Sequence, residues 1–343
     1  MLMTWFQFLA GALLVIIAGT KLTRSADVLG RALGLGTGWA GVLLLPLATS
    51  LPELVTSLRA AIIHAPDLAS GNLFGSNLFN ITIIALVDLM QGKGSIFLHV
   101  KRGHALAASL GILLMFISGT GILFPFPFLW GSWIGLDTVL LMGGYLAAAM
   151  LLTAYEKHNN SFLVKHNPTC NGEKIVEKDN YLALTPPRWA FVHFIAAAAV
   201  ILFAGVALTD AADIVAIETG LGRTFVGSIM LAVATSLPEV VTTTTAARLG
   251  RLDMAMGNIF GANMYNMFIL SIIDICYLPG SLLQAISTKH LWTIAMGIIL
   301  TSMAITGLVN RSRRSVGWLS LNSIFIVAGY LVAVAVLFYT RGG

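Results

Sequence analysis

Charge is what this sequence has least of. Asp, Glu, Lys and Arg make up 10% of the 343 residues, against about 25% in a soluble domain, which excludes a chain solvated mainly by water. A basic surface is missing too: a net charge of +5 over this length forms no nucleic-acid patch, and no nucleic-acid partner is expected. Cysteine is limited to Cys170 and Cys276, far apart and in no metal-ligand spacing, so both are read as unpaired and incidental. The histidines (His64, His99, His104, His158, His166, His193 and His290) likewise show no ligand spacing and receive no role. No cationic segment precedes the first apolar run, Trp5 to Ala18; Lys21, Arg24 and Arg31 follow it. That order predicts a retained first span with its N-terminus outside, not a cleaved leader.

What the chain does have is apolar length. Hydrophobic residues make up 57% of it, and a bilayer-crossing helix needs about 20 of them in sequence. On that ruler ten spans fall near 4–22, 38–63, 67–90, 103–122, 132–155, 189–209, 222–248, 252–276, 289–309 and 317–339. The loops after the odd-numbered spans carry sixteen Lys and Arg, and the opposite face carries four: Arg59, Arg223, Lys289 and Arg341. This bias places the odd loops in the cytoplasm and both termini outside. The expected fold is an all-α integral membrane protein, with a first five-helix half at 1–155, a cytoplasmic linker at 156–188 and a second five-helix half at 189–343.

The two halves repeat each other. Setting Gly41–Asp88 over Gly227–Asp274 without a gap matches 22 of 48 positions. The matches pick out polar residues: Thr49/Thr235, Pro52/Pro238, Glu53/Glu239, Asn72/Asn258, Asn77/Asn263 and Asn80/Asn266. An odd number of spans separates the copies, so the second runs through the membrane in the opposite sense to the first. Paired, interrupted segments of this kind point to a transport site at the bilayer midplane.

Each copy contains ATSLPE, at Ala48–Glu53 and Ala234–Glu239. The prolines lack the N–H that would bond back one turn, which frees the carbonyls of Ala48 and Ala234. Free carbonyls persist at membrane depth only where protein, water or an ion satisfies them. Thr49, Ser50, Thr235 and Ser236 add hydroxyl oxygens, and Glu53 and Glu239 lie one turn beyond the threonines on the same helix face. Amide groups come from Asn72, Asn77, Asn80 and their repeat partners, and glycines at Gly71, Gly75, Gly257 and Gly261 allow close helix approach. Oxygen donors with two carboxylates and no soft ligand describe a cage for a hard cation. Each mid-helix acid costs about 2.5–3.5 kcal/mol to insert, and the central parts of these spans hold no Lys or Arg, so a transported cation is the expected neutraliser. Other polar positions are given plainer readings. Asp88 and Asp274 are read as solvated caps at span ends, Thr242–Thr245 as a polar helix face toward the neighbouring helix, and Asp210, Asp213 and Glu218 as an acidic outer loop.

The stretches ATSLPELVTS…GNLFGSNLFN and ATSLPEVVTT…GNIFGANMYN resemble the two repeats of the calcium/cation antiporter superfamily, in its sodium/calcium exchanger-like branch. The resemblance implies alternating access, with the spans near 4–22 and 189–209 sliding past a stationary core. It also implies roles: Glu53 and Glu239 as shared Ca²⁺/Na⁺ ligands, and Thr49 and Thr235 in the Ca²⁺ site. Ser50, Ser236 and Ser76 match sodium-ligand positions, while Asn80 and Asn266 match the outer positions of the central site. Three departures stand out: Ala262 where the first copy has Ser76, Asn266 where some prokaryotic relatives carry Asp, and Pro46 in place of a small residue.

The expected function is therefore a secondary antiporter in a prokaryotic inner or plasma membrane. It would export Ca²⁺ against inward Na⁺, with the lipid bilayer and these ions as its partners and no resident cofactor. Proton/Ca²⁺ and potassium-linked exchange remain open alternatives, as does a passive channel. An intramembrane enzyme using the paired glutamates is disfavoured, because no aspartate-rich metal motif, Ser/Lys pair or His-containing metal motif accompanies them.

Overall fold

In hydrocarbon a backbone must satisfy its own polar groups, so long apolar segments fold as helices. The computed structural model follows this rule over the residues it describes: 2–32, 45–92, 95–124, 128–130, 134–166, 186–248, 250–311, 315–316 and 318–340. The first half contains α1 (Leu2–Ala32), α2 (Leu45–Thr49), α3 (Leu51–Ile62), α4 (Pro66–Gln91), α5 (His104–Leu123) and α6 (Leu136–His166). The second begins with α7 (Pro187–Glu218), α8 (Arg223–Phe225), a π-turn over Val226–Leu231, α9 (Ala232–Thr235) and α10 (Leu237–Arg248). It continues with α11 (Leu252–Cys276), α12 (Leu282–Ala285), α13 (His290–Asn310) and α14 (Leu321–Tyr339).

Among the described residues eight helices are long and apolar enough to cross a membrane, and Arg223–Thr235 with Leu237–Arg248 forms a ninth such segment bent by 44°. All nine overlap spans expected from hydropathy. Of the remaining expected span, 38–63, the stretch 38–44 lies outside the described residues, and the rest is α2 and α3. The protein is thus a nearly all-helical membrane protein.

Polarity is arranged inside out. Helices α4 and α11 are buried along most of their length, yet they carry Asn72, Ser76, Asn77, Asn80, Asn258, Asn263 and Asn266. The peripheral helices α1, α5, α7 and α14 expose Phe6, Phe116, Phe203 and Leu331. This is the pattern expected when lipid is the solvent and polar side chains must find partners in the bundle interior.

Helix α4 approaches the π-turn at backbone distance. A methyl group on Gly71 would lie 3.0 Å from the Ser228 nitrogen, and one on Gly75 would lie 2.1 Å from the Ser228 carbonyl oxygen. Glycine is required here because backbone meets backbone. Helix α1 packs along α7, and both also touch the helices of the repeats; Gln7 Nε2 donates to the Ala207 carbonyl at 3.2 Å.

Several expectations are corrected. The fold is not purely α: two short antiparallel hairpins pair Phe128–Trp130 with Ile134–Gly135 (β1, β2) and Ser315–Val316 with Leu319–Ser320 (β3, β4). Each immediately precedes a spanning helix, and pairs loop backbone that would otherwise lack partners. Helix α6 continues to His166, into the segment read as linker; 167–185 lie outside the described residues. Asp210, Asp213 and Glu218 belong to α7, not to a loop. Asp210 accepts from Arg59 at 2.8 and 3.0 Å, and Asp213 accepts from Arg223 at 2.5 and 3.1 Å. Two forked Arg–carboxylate pairs therefore fasten the last turns of α7 to α3 and α8.

Asp88 and Asp274 are not solvated caps but buried fasteners. Asp88 accepts from the Ile96 amide at 2.7 Å and the Ser320 amide at 2.8 Å. Asp274 accepts from the Leu282 amide and the Thr138 hydroxyl. Each aspartate takes the amide eight residues on and the start of a later span, so the repeat register governs these ties as well.

Candidate cation site

Both helix breaks fall at a serine. Ser50 (φ −88°, ψ 14°) separates α2 from α3, and Ser236 (φ −85°, ψ 6°) separates α9 from α10. Each new helix then reads Leu-Pro-Glu, with proline in the first turn, where its missing N–H costs no helical hydrogen bond of its own helix. The Ser50 amide donates to the Pro46 carbonyl at 2.9 Å and the Ser236 amide to that of Ala232 at 3.0 Å. The carbonyls of Ala48 and Ala234, just before the breaks, face a proline four residues on and so lack the usual helical donor.

The breaks bring the glutamates to the interior. Glu53 is 0% and Glu239 1% exposed. Their Oε1 atoms are held across the repeat: Ser236 donates to Glu53 at 2.9 Å, and Ser50 donates to Glu239 at 3.1 Å. Ser76 adds a longer contact to Glu53 Oε1 at 3.5 Å. Ala262, in the matching position, has no hydroxyl, so Glu239 Oε1 receives one side-chain donor where Glu53 Oε1 receives two. The second oxygen of each glutamate, Oε2, has no hydrogen-bond partner.

Four asparagines are locked in the same reciprocal fashion. Asn77 Nδ2 donates to the Asn263 carbonyl at 3.2 Å, and Asn263 Nδ2 to the Asn77 carbonyl at 3.0 Å. With an NH₂ hydrogen of each engaged in this exchange, Asn77 and Asn263 present Oδ1 to their neighbours. Asn80 and Asn266 therefore point their NH₂ groups at those oxygens, at 3.0 and 2.9 Å. Their own Oδ1 atoms are left without a partner. Where the repeats meet, the Oε2 atoms of Glu53 and Glu239 and the Oδ1 atoms of Asn80 and Asn266 are thus left without partners, as is Oδ1 of Asn258. Buried polar atoms are normally satisfied, and a set of oxygens alone suits a hard cation.

Thr49 and Thr235 use their hydroxyl hydrogens locally. Thr49 reaches the Pro46 carbonyl at 3.2 Å, and Thr235 reaches Asn72 Oδ1 at 3.0 Å and the Ala232 carbonyl at 3.2 Å. Their oxygen lone pairs stay available as ligands. Asn72 secures the next turn, donating to Thr56 and Ser57 at 2.9 Å each, and Asn258 donates to Thr243 at 3.0 Å. Thr243, read as part of a polar helix face, is buried.

No ion pair among the described residues neutralises either glutamate. The arginine pairs use Asp210 and Asp213, and the histidine pairs use Asp67 and Asp253. These histidine pairs escape any reading that takes each histidine alone. Asp67 Oδ1 accepts from the Ser287 amide at 2.6 Å and from His290 Nε2 at 3.1 Å. Asp253 Oδ1 contacts the Lys101 amide at 2.7 Å and His104 Nε2 at 3.0 Å. A signal for them is present in the sequence: Asp67/Asp253 and His104/His290 keep the same 186-residue register as the glutamates. Asn77 and Asn263 gain a role also, as the residues that orient Asn80 and Asn266.

Comparison with known proteins gives one consistent result. The family described as "Sodium/calcium exchanger protein" matches residues 3–152 and 189–339. The chain is 25% identical over 344 residues to Inner membrane protein YrbG of Escherichia coli (strain K12), covering 99% of this chain and 98% of that one. Among solved structures it resembles the sodium-calcium exchanger NCX_Mj, with a TM-score of 0.61 at 20% identity over 97% of this chain and 98% of that one. It also resembles the H⁺/Ca²⁺ exchanger CAX, with a TM-score of 0.71 at 14% identity over 98% of this chain and 86% of that one. At these identities the solved structures establish the fold.

Proposed function

Because the chain belongs to the sodium/calcium exchanger protein family, and so is a cation antiporter and not an enzyme, we propose that it exports Ca²⁺ from the cytoplasm in exchange for inward Na⁺. The observation that carries this reading is the reciprocal clamp on Glu53 and Glu239. Each Oε1 is held by a serine of the other repeat, while each Oε2, with the Oδ1 atoms of Asn80 and Asn266, lacks a partner. Two carboxylates balance one Ca²⁺ or two Na⁺, so the ions compete for one set of oxygens. An empty carrier would have to move two bare charges through a dehydrated state, which desolvation opposes. A loaded carrier is neutral and can reorient. Competition together with this restriction amounts to coupling.

The ligand set proposed here is Glu53, Glu239, Thr49, Thr235, Ser50, Ser236, Ser76, Asn80 and Asn266, with the Ala48 and Ala234 carbonyls. The architecture proposed with it is ten spans in two inverted five-helix repeats joined by a cytoplasmic linker, with both termini outside. It is supported by the nine described spanning segments, the broken α2–α3 pair, and hydrogen bonds that recur at an offset of 186 residues.

Proton/Ca²⁺ exchange is the second reading, favoured by one feature: Ala262 removes a hydroxyl from the Glu239 side of the site. Calcium uptake into inverted vesicles separates the two. Uptake is expected to follow an imposed Na⁺ gradient and to ignore a pH gradient; uptake driven by the pH gradient alone would replace Na⁺ coupling with H⁺ coupling. Ala262→Ser restores the missing hydroxyl and is expected to raise apparent Na⁺ affinity. An unchanged Na⁺ dependence would show that position 262 is not a ligand position.

A further inference from the structure

A second pair of buried acids lies away from the glutamates, at the far end of α11. Asp274 has one carboxylate oxygen on the Leu282 amide and the other on the Thr138 hydroxyl. Beside Thr138, Asp137 is 1% exposed, and neither of its carboxylate oxygens has a hydrogen-bond partner. Asp137 is linked to Asp274 through its chain neighbour Thr138, whose hydroxyl donates to the Asp274 carboxylate. Asp137 also presses on the last turn of α5, where a methyl group on Gly121 would lie 3.1 Å from its Oδ2. That turn ends a helix, with its unpaired carbonyls and the negative end of its dipole. Three negative features therefore meet, and no Lys, Arg or His pairs with either aspartate among the described residues.

The repeat indicates which of the two acids the fold itself needs. The positions equivalent to Asp274 and Asp137 are Asp88 and Ser323. There a single carboxylate does the fastening: Asp88 accepts from the Ile96 and Ser320 amides at 2.7 and 2.8 Å, and Ser323 bonds to Ser320 at 3.0 Å. Among the described residues no buried carboxylate oxygen is stranded at that end. The extra acid at 137 is thus not explained by joining the helices, and an uncompensated buried carboxylate is costly.

We propose that Asp137 and Asp274, with the Thr138 hydroxyl oxygen, form a second site for a hard divalent cation of the Ca²⁺ class, separate from the glutamate site. Two carboxylates match a divalent charge, and all the donors are oxygen. The bound ion would tie the start of α6 and the last turn of α5 to the end of α11, the helix that carries Asn258, Asn263 and Asn266.

The test measures binding of radiolabelled Ca²⁺ to the purified full-length protein. Glu53→Gln combined with Glu239→Gln removes the glutamate site, and this double variant is expected to retain one saturable Ca²⁺ per chain. Adding Asp137→Ser, the residue the chain itself uses at 323, is expected to abolish that binding while the protein remains monodisperse. Should the combined variant not fold, Asp137→Ser in the otherwise unaltered protein is expected to lower the Ca²⁺ stoichiometry by one. The proposal is overturned if the double variant binds no Ca²⁺, which would leave a shared proton as the neutralising charge, or if Asp137→Ser leaves the stoichiometry unchanged. Neither result depends on which ion drives transport.

Discussion

Glu53→Gln and Glu239→Gln are each expected to abolish exchange while leaving the protein folded and inserted. Glutamine is nearly isosteric, and its amide oxygen can still accept the cross-repeat serine, Ser236 at position 53 or Ser50 at position 239. What changes is charge. One remaining carboxylate cannot neutralise a divalent ion, so a Ca²⁺-loaded carrier would keep a net positive charge during reorientation. Substituting residues that only orient a metal ligand costs roughly 10–100-fold; losing a charged ligand is expected to cost at least about 100-fold. Flux in reconstituted vesicles measures the loss, and size-exclusion behaviour of the purified variant reports folding. Near-normal transport by either variant would remove the glutamates from the site.

Gly75→Ala is expected to eliminate transport by a different route. Its added methyl group would lie 2.1 Å from the Ser228 carbonyl oxygen and 2.6 Å from the Ser228 carbonyl carbon. Both are backbone atoms, so no side-chain rotation relieves the clash, and α4 must separate from the π-turn. Overpacking of this kind typically costs about 1–3 kcal/mol. Here it also displaces the segment leading into Ala234, Thr235 and Ser236. A lowered thermal midpoint together with lost flux is the expected outcome. Wild-type stability and flux would mean that α4 and the π-turn are not in backbone contact.

Much of the candidate site is legible in the residue order because membrane sequences tolerate few polar residues. A glutamate beside a proline in an apolar stretch is conspicuous, and its recurrence at the same spacing is enough to single out Glu53, Glu239 and their serines. The histidines and terminal aspartates share that 186-residue register, but the register does not say what they bond. Asp67, Asp253, Asp88 and Asp274 sit at helix ends, where an acid is ordinarily solvated, and only their partners reveal otherwise. Those partners are distant backbone amides, such as Ser320 for Asp88 and Ser287 for Asp67. A backbone N–H carries no side-chain identity, so no residue pattern announces it.

Helix ends are also illegible for a physical reason. Hydropathy measures the length needed to cross lipid, but α1 runs on to Ala32, α6 to His166 and α7 to Glu218. In α7 the additional turns include Asp210 and Asp213, which are balanced by Arg59 and Arg223. Sequence hydropathy counts such charges as loop, whereas paired charges can extend a helix beyond the hydrocarbon.

By itself the sequence determined the solvent, nine of the apolar spanning segments, the repeat and the acids within it, because each follows from local composition and spacing. Tertiary structure alone decided which oxygens remain free. Ser50 meets Glu239 and Ser236 meets Glu53 only after the two halves interleave, and the Asn77–Asn263 exchange then dictates which way Asn80 and Asn266 turn. Hydrogen-bond satisfaction is a property of partners brought together from about half a chain length apart, and no local pattern can encode it.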